Sequence, residues 1–425
     1  MKKITTYLLF ILKWLFITIM TAGLVGSATA WFLIALDFVT IWRTDHIWVV
    51  NFLPLIGLGI GYAYHYFGTA VQKGNNLILE THQAIVTTSS SSTTSNSTKP
   101  IPLLMAPLVF ISTLLTHIGG GSAGREGTAV QMGGAIADQF TTLFKLSAAE
   151  RKTILIMGVS AGFAAVFGTP WAAAVFALEI MSFGKVKFEN IIPSFLAAFG
   201  AHYICLAWMV KHTVYSIDII PSITANTISW TMLAGLVFGL AAFLFIYTGK
   251  IFEALFSKIK FEPMRPFIGG IIIALLIVVA NSTKYIGLGI PSIVDAFNEP
   301  AGNFDFALKL LLTSLTLSAG FKGGEVTPLF FIGATLGNIL IWFIPLPMAL
   351  LAGMGFVAVF AGATHCVIAS IIMGIELFGI QAGIYVGLAS IVAYFTSGMN
   401  GIYSAKLKMG AKYDLYNYIL KTRKL

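Results

Sequence analysis

Charge is what this sequence lacks most. Only 10% of its 425 residues are Asp, Glu, Lys or Arg, whereas 57% are hydrophobic and the mean hydropathy is +0.87. A soluble globular surface needs about a quarter of its residues charged, so a soluble domain is excluded. Cysteine is almost absent: Cys205 and Cys366 each lie in an apolar run, which excludes a disulfide framework and a thiolate metal site. The seven histidines are scattered with no H-x-x-x-H pair, so neither a metal nor a cofactor is expected. Short alternating strands, the mark of a membrane barrel, are missing. What is present instead is a series of apolar runs of roughly 18 residues or more, which predicts an all-α polytopic membrane protein in contact with a lipid bilayer.

The net charge of +9 does not point to a nucleic-acid partner, because much of the excess gathers at the ends. Lys2, Lys3 and Lys13 open the chain and Lys421, Arg423 and Lys424 close it. By the positive-inside tendency both termini are expected on the cytoplasmic side of a cell (inner) membrane. The first 30 residues have the basic start and small-residue end of a signal peptide, at Ala28–Ala30. Lys13 interrupts their apolar run, however, and apolar sequence continues to Val39, so a retained first helix is the better reading. One stretch, residues 87–100, is rich in Ser and Thr and predicts a solvated loop outside the bilayer.

Sequence also repeats internally. "GFAAVF" at Gly162–Phe167 returns as "GFVAVF" at Gly355–Phe360, "SAG" at Ser122–Gly124 returns at Ser318–Gly320, and "FALEI" at Phe176–Ile180 is echoed by "MGIEL" at Met373–Leu377. Three matches in one order predict two homologous transmembrane halves, residues 1–210 and 211–425. Paired halves of this kind suggest a transporter, with its substrate near the membrane midplane at broken helices.

Three segments read as helix starts placed where a continuous helix would be expected. In "GGEVTPLFFIGATLGN", Thr327 is a good N-cap and Pro328 fits the first helical position. "GTPWAAAVFALEIM" repeats the device with Thr169 and Pro170. In "GREGTAVQMGG", Thr128 and Gln131 have capping-box spacing. A helix N-terminus carries unpaired N–H donors and a partial positive charge, so several converging in a protein-lined cavity would bind an anion without a full cation. Glu126 immediately precedes one such start. Ionised, its carboxylate would occupy the site as a tethered anion; protonated, it would let go. That competition is a physical basis for coupling anion and proton movement. The rival reading, an Arg125–Glu126 ion pair, is weaker because adjacent helical residues do not face each other.

At these residues the chain resembles the CLC family of chloride channels and anion/proton antiporters. "GREG" before a helix is similar to the family's gating-glutamate motif, which implies that Glu126 is the gate. "GFKGGEVTPLF" resembles the second-half loop that helps form the anion site. The resemblance spans nearly the whole chain. It implies a CLC-like fold of two inverted-topology repeats, with broken helices meeting at the midplane, and a homodimer with one pathway per subunit. The cystathionine-synthase-type domains of many members have no counterpart here, so no soluble regulatory domain is expected.

Departures from the chloride-transporting pattern are informative. Thr128 stands where GREGP has its proline. The family's GSGIP serine is missing from "KGNNLILE", where Asn75 or Asn76 replaces it. Both variants, with "GGEVTP", resemble the fluoride-exporting branch, in which Thr327 lies on the anion path and Tyr403 corresponds to a tyrosine lining its inner side. The resemblance therefore implies anion-binding roles for Asn75, Asn76, Gly124, Arg125, Gly127, Thr128, Thr327 and Tyr403. Chloride/proton exchangers carry two adjacent glutamates at the end of the "FALEI" helix; here Glu179 matches the first and Ile180 replaces the second. Glu325 is the candidate proton carrier in its place, with a structural carboxylate as the equal alternative, whereas Glu179 and Glu376 read as structural.

Together these features point to secondary active export of fluoride in exchange for protons. Fluoride holds its water strongly, so a site for it must supply close donors such as amide, threonine and backbone N–H groups. A chloride/proton antiporter or passive chloride channel of the same fold is the first alternative. An intramembrane hydrolase is the distant one: Gly120–Gly124 satisfies G-x-S-x-G around Ser122, but no strand precedes it. No enzymatic activity is expected.

Overall fold

The computed structural model describes residues 2–88, 99–181, 188–280, 282–406 and 410–422. Most of the Ser/Thr-rich loop expected at 87–100, and the terminal Arg423 and Lys424, lie outside them. Among the described residues the chain is wholly helical. The first half runs α1 (Lys2–Asp45), α2 (Leu53–Tyr66), α3 (Asn75–Thr88), α4 (Met105–Ile118), α5 (Glu126–Leu143), α6 (Ala148–Phe167), α7 (Pro170–Met181) and α8 (Ile191–Ala207). The second half runs α9 (Ala225–Phe256), α10 (Met264–Ala280), α11 (Ile290–Asn298), α12 (Asp305–Ser318), α13 (Val326–Ile339), α14 (Met348–Thr364), α15 (Val367–Phe378) and α16 (Gly383–Thr396), and α17 (Ala411–Thr422) follows.

Length separates two kinds of helix. By length and composition, Leu8–Asp45, Ile47–Tyr66, Phe188–Ala207 and Ala225–Phe256 can cross a bilayer. Seven apolar helical segments have only 10–17 residues. At 1.5 Å per residue a 14-residue helix spans about 21 Å, short of the ~30 Å hydrocarbon core. Such a helix cannot cross from face to face, so it must end at depth, and irregular backbone there is tolerated only where protein or a cavity covers it.

The halves are related by a register that local sequence matching misread. Residues 101–130 and 301–330 have the same succession of turn, helix, loop and helix, offset by 200 positions (Gly124 to Gly324). Ile101 N–H donates to Asp138 Oδ2, and Ala301 N–H donates to Asn338 Oδ1, both at 2.8 Å. Farther along, the offset is 197 (Glu179 to Glu376), in agreement with the "FALEI"/"MGIEL" match. Glu179 accepts from Ile368 and Ala369 N–H at the head of α15 (3.2 and 2.9 Å), and Glu376 accepts from Trp171 and Ala172 N–H at the head of α7 (3.2 and 3.0 Å). The other two matches were in the wrong register. Ser318 is equivalent to Ile118, not to Ser122. "GFAAVF" and "GFVAVF" lie one helical turn apart, because Gly168 and His365, the left-handed caps of α6 and α14, are the equivalent pair. Gly/Ala/Phe-rich helices match one another cheaply, and the wrong alignments came from that.

Close helix crossings explain the glycines. On Gly133 of α5 a methyl would strike the Gly158 carbonyl of α6, and on Gly333 of α13 one would strike the Gly355 carbonyl of α14. Backbones that touch this way fix the depth and angle at which α5 and α13 enter the centre.

The centre itself is stapled. Gly124 N–H donates to Gly324 O (2.6 Å) and Gly324 N–H to Gly124 O (2.8 Å). Ser122 N–H donates to Thr316 Oγ1 (3.2 Å) and Lys322 N–H to Thr116 Oγ1 (3.3 Å). Each bond has its counterpart at the equivalent position of the other half. The loop before α5 and the loop before α13 are thereby held antiparallel, and the two helix starts meet.

Candidate functional site

Both central helices begin earlier than the capping signals predicted. For α5 the N-cap is Arg125, so Glu126 is the first helical residue and Thr128 the third. Thr128 pairs its hydroxyl with Thr113 Oγ1 of α4 (2.8 Å), and the Gln131 amide faces Gly74, so no Thr128–Gln131 capping box forms. For α13 the N-cap is Glu325, which makes Thr327 the second helical residue and Pro328 the third. Pro328 still costs no hydrogen bond there, because that N–H would be unpaired anyway. Pro170 does open α7, but the buried Thr169 hydroxyl has no partner and caps nothing.

The consequence is a cluster of donors with no partner within their own helices. The first bond of α5 runs from Ala129 N–H to Arg125 O (3.2 Å), and that of α13 from Leu329 N–H to Glu325 O (3.1 Å). The N–H groups of Glu126, Gly127 and Thr128, and those of Val326 and Thr327, precede these bonds. They meet where Gly127 packs on Gly324. A methyl built on Gly324 would stand 2.7 Å from Gly127 N, and one on Gly127 3.0 Å from Gly324 Cα. Only glycine at both positions permits that approach. Gly124, by contrast, donates its N–H to Gly324 and is not a free donor.

Glu126 sits on this cluster with 1% of its surface exposed. Its carboxylate reaches across to α13, accepting from Thr327 N–H (3.1 Å) and from the Thr327 hydroxyl (2.7 and 2.8 Å). It also accepts from Arg125 N–H at 3.3 Å. The ion pair with Arg125 exists, at 3.8 Å from Nε to Oε1, yet the buried Nε makes no hydrogen bond. The threonine and the helix head hold the carboxylate by direct hydrogen bonds; the guanidinium adds a longer-range attraction.

Asn75, first residue of α3, and Glu325 complete the ring. A methyl on Gly127 would lie 3.0 Å from Asn75 Nδ2 and 3.6 Å from Glu325 Oε2. Asn75 Oδ1, Glu325 Oε2 and Arg125 Nε are all buried without a hydrogen-bond partner. Buried polar atoms are almost always bonded, and two of these three belong to side chains that stand beside Gly127, Asn75 and Glu325. Asn76 lines the cavity beside these helix starts as well, while its Oδ1 accepts from Ala405 N–H (3.1 Å) and ties down the loop that carries Tyr403. Asn75, Gln131, Lys322, Glu325 and the 7% exposed Tyr403 line a cavity of about 150 Å³ beside the helix starts.

Thr113, Lys322 and the Gly324 staple were not singled out in the sequence. The signal was there: Thr113, Leu115, Thr116, Gly120 and Gly124 recur 200 positions later as Thr313, Leu315, Thr316, Gly320 and Gly324. The hydrolase reading fails on geometry. Ser122 Oγ pairs with Thr313 Oγ1 (2.8 Å), no hydrogen bond joins it to His117, and its loop follows a helix.

Comparison with known proteins agrees with this architecture. The model of the voltage gated chloride channel family matches residues 56–398. A "Chloride/fluoride channel protein" of Pseudomonas syringae pv. tomato is 45% identical over 405 residues, 93% of this chain and 87% of the relative. Among solved structures, that of a CLC-type fluoride/proton antiporter has a TM-score of 0.86 at 34% identity, covering 92% of this chain and 96% of its own. A slow cyanobacterial Cl−/H+ antiporter has a TM-score of 0.78 at 18% identity over 97% and 99% of the two chains, a likeness of fold. A multi-pass helical membrane protein with two inverted repeats and helix starts meeting at its centre, this chain belongs to the CLC family of voltage-gated chloride channels and transporters.

Proposed function

We propose that the protein exports fluoride in exchange for protons, with Glu126 as the gate. The observation that carries this reading is the seat of the Glu126 carboxylate on Thr327 N–H and Oγ1 at the head of α13. A carboxylate and a halide compete for such donors because both are compact anions. Protonation weakens the carboxylate's hold and frees the donors for the ion. Asn75, Thr327 and the N–H groups of Gly127 and Thr128 then replace the water that fluoride sheds, and Tyr403 lines the inner approach. Glu325 receives the proton that Ile180 cannot. The similarity to a fluoride/proton antiporter at 34% identity supports fluoride as the substrate. We place the protein in the cell membrane as a homodimer with both termini cytoplasmic, each subunit carrying its own pathway.

The test is fluoride-driven proton movement in liposomes containing the purified protein, with chloride as control. Proton uptake that follows the fluoride gradient and is slight with chloride is the expected result. Equal efflux of both halides would remove the fluoride assignment. Anion flux with no proton movement would replace exchange by a passive channel, as the name of the 45% identical relative suggests for that protein.

A further inference from the structure

A cavity of about 210 Å³ opens between the ends of α2 and α9 and the start of α10. Two carboxylates line it, those of Glu253 and Glu262, and Glu253 and Ser257 are exposed to solvent. Glu262 accepts from Gln72 Nε2 (3.3 Å) and stands 3.9 Å from both His65 Nδ1 and Arg265 Nη1. Lys322 lines this vestibule too, and it also lines the cavity of about 150 Å³ that holds Asn75 and Glu325. Tyr64 and Gln72 are likewise common to both. The two cavities therefore adjoin at three side chains, of which Lys322 is the one that exchanges a proton between a cation and a neutral amine.

The backbone of Lys322 is fixed and its side chain is not. Its N–H donates to Thr116 Oγ1 (3.3 Å), two residues before the Gly324 staple. Its Nζ lies 4.1 Å from the centre of the Tyr64 ring and makes no hydrogen bond to another described residue. A ring face holds a cation by about 0.5–2 kcal/mol, less than a carboxylate at contact would, and the four-carbon stem is flexible. Glu262 acts on the ammonium through space from the vestibule side. On the other side Glu325 Oε2 is buried without a hydrogen-bond partner. The position where chloride/proton exchangers carry their second glutamate is Ile180, near the end of α7. That helix packs on α6, α8 and α15, whereas α2, α9 and α10 build the vestibule, so the two lie on different sides of the subunit.

We infer that Lys322 is a proton relay between Glu325 and the vestibule of Glu253 and Glu262, on a way that does not pass Tyr403. The inference rests on the reading that the chain exchanges an anion for protons. In the direction of export the Lys322 amine takes the proton of the Glu325 carboxyl, which becomes a carboxylate. The ammonium then gives that proton to water in the vestibule, where the carboxylates of Glu262 and Glu253 accept it, and the neutral amine returns. Water occupies about 30 Å³, so the two cavities hold roughly five and seven molecules, enough to bridge the side chains. Ionisable groups linked in this way at membrane depth are what a proton route requires.

The experiment measures proton and fluoride fluxes together in liposomes. Lys322→Gln removes the titrating group, and Lys322→Arg keeps the charge on a guanidinium that does not deprotonate. Each is expected to slow proton-coupled turnover at least tenfold while the apparent KM for fluoride is retained. Lys322→His, which exchanges protons again, should recover at least threefold over Lys322→Arg. Wild-type turnover in Lys322→Arg would show that only the charge or the packing matters, and it overturns the relay. Should these variants not fold, the exposed Ser257→Cys carries the test, because Cys205 and Cys366 are buried. A bulky methanethiosulfonate on that thiol should slow coupled exchange at least fivefold and leave the heat of fluoride binding unchanged; exchange at the unlabelled rate overturns the vestibule as the proton route. A wild type that moves fluoride without protons removes the proposed exchange itself, a result distinct from an exchanging wild type matched by Lys322→Arg.

Discussion

Replacing Glu126 by glutamine removes the charge and keeps the shape. In the wild type both carboxylate oxygens are engaged, by Thr327 N–H, by the Thr327 hydroxyl and by Arg125 N–H. Hydrogen bonds to a charged group are worth roughly 1.5–3 kcal/mol each. Glutamine retains one acceptor oxygen and turns an NH2 group toward donors. Its oxygen can keep the two N–H donors and its NH2 can donate to the Thr327 hydroxyl, so what is lost is the charge assistance of these bonds, about 1 kcal/mol each and about 3 kcal/mol together, or roughly a hundredfold in occupancy of the seat. Two consequences follow from that figure. In liposomes, Glu126→Gln abolishes proton movement, because the side chain no longer titrates, and any fluoride flux that remains is uncoupled. In calorimetry, fluoride binds more tightly to the variant, by up to about a hundredfold, because its tethered competitor has been weakened. Coupled exchange at the wild-type ratio in Glu126→Gln, or an unaltered fluoride affinity, would refute the competition between carboxylate and ion.

Asn75→Ser restores the hydroxyl of the chloride-transporting pattern beside Gly127 and should lower the fluoride-to-chloride flux ratio severalfold; an unchanged ratio would take Asn75 off the ion path. Glu325→Gln should slow proton-coupled turnover at least tenfold while halide binding persists, and coupling retained at the wild-type rate would leave Glu325 a structural group. Gly333→Ala presses a methyl into the Gly355 carbonyl, so the purified protein should lose about 1–3 kcal/mol of stability in thermal unfolding. Gly249→Ala, where a methyl meets nothing within 4 Å on helix α9, is the matched control and should be neutral or stabilising by up to about 1 kcal/mol.

Much of the site was legible because its chemistry is written in consecutive residues. "GREGT" and "GGEVTP" each contain a glycine turn, an acid and a helix start, and the structure brings the two together. The caps were misplaced by two or three residues for a physical reason. Thr128 and Thr327 look like N-caps, but their hydroxyls have better partners in Thr113 and Glu126, and tertiary contacts overrode the local preference. Between Asn75 and Asn76 the sequence could not choose: both line the same cavity, and only the fold shows that Asn75 stands beside Gly127 while the Asn76 carbonyl oxygen is held by Ala405 N–H. The repeat was legible in kind and wrong in register at two of three places. Apolar helices of small residues resemble one another at every turn, whereas the positions that set the true register are threonines and glycines of the central loops.

The reciprocal bonds of Gly124, Gly324, Thr116 and Thr316 bear on how such a machine runs. Many carriers alternate by swinging one repeat about the other. Here that swing would have to tear four hydrogen bonds in the driest part of the molecule, each costly to leave unmade. The scaffold is welded where other carriers have their pivot. The exchange proposed above would then be worked by parts small enough to turn inside a fixed frame, and a single carboxylate pendulum is of that size.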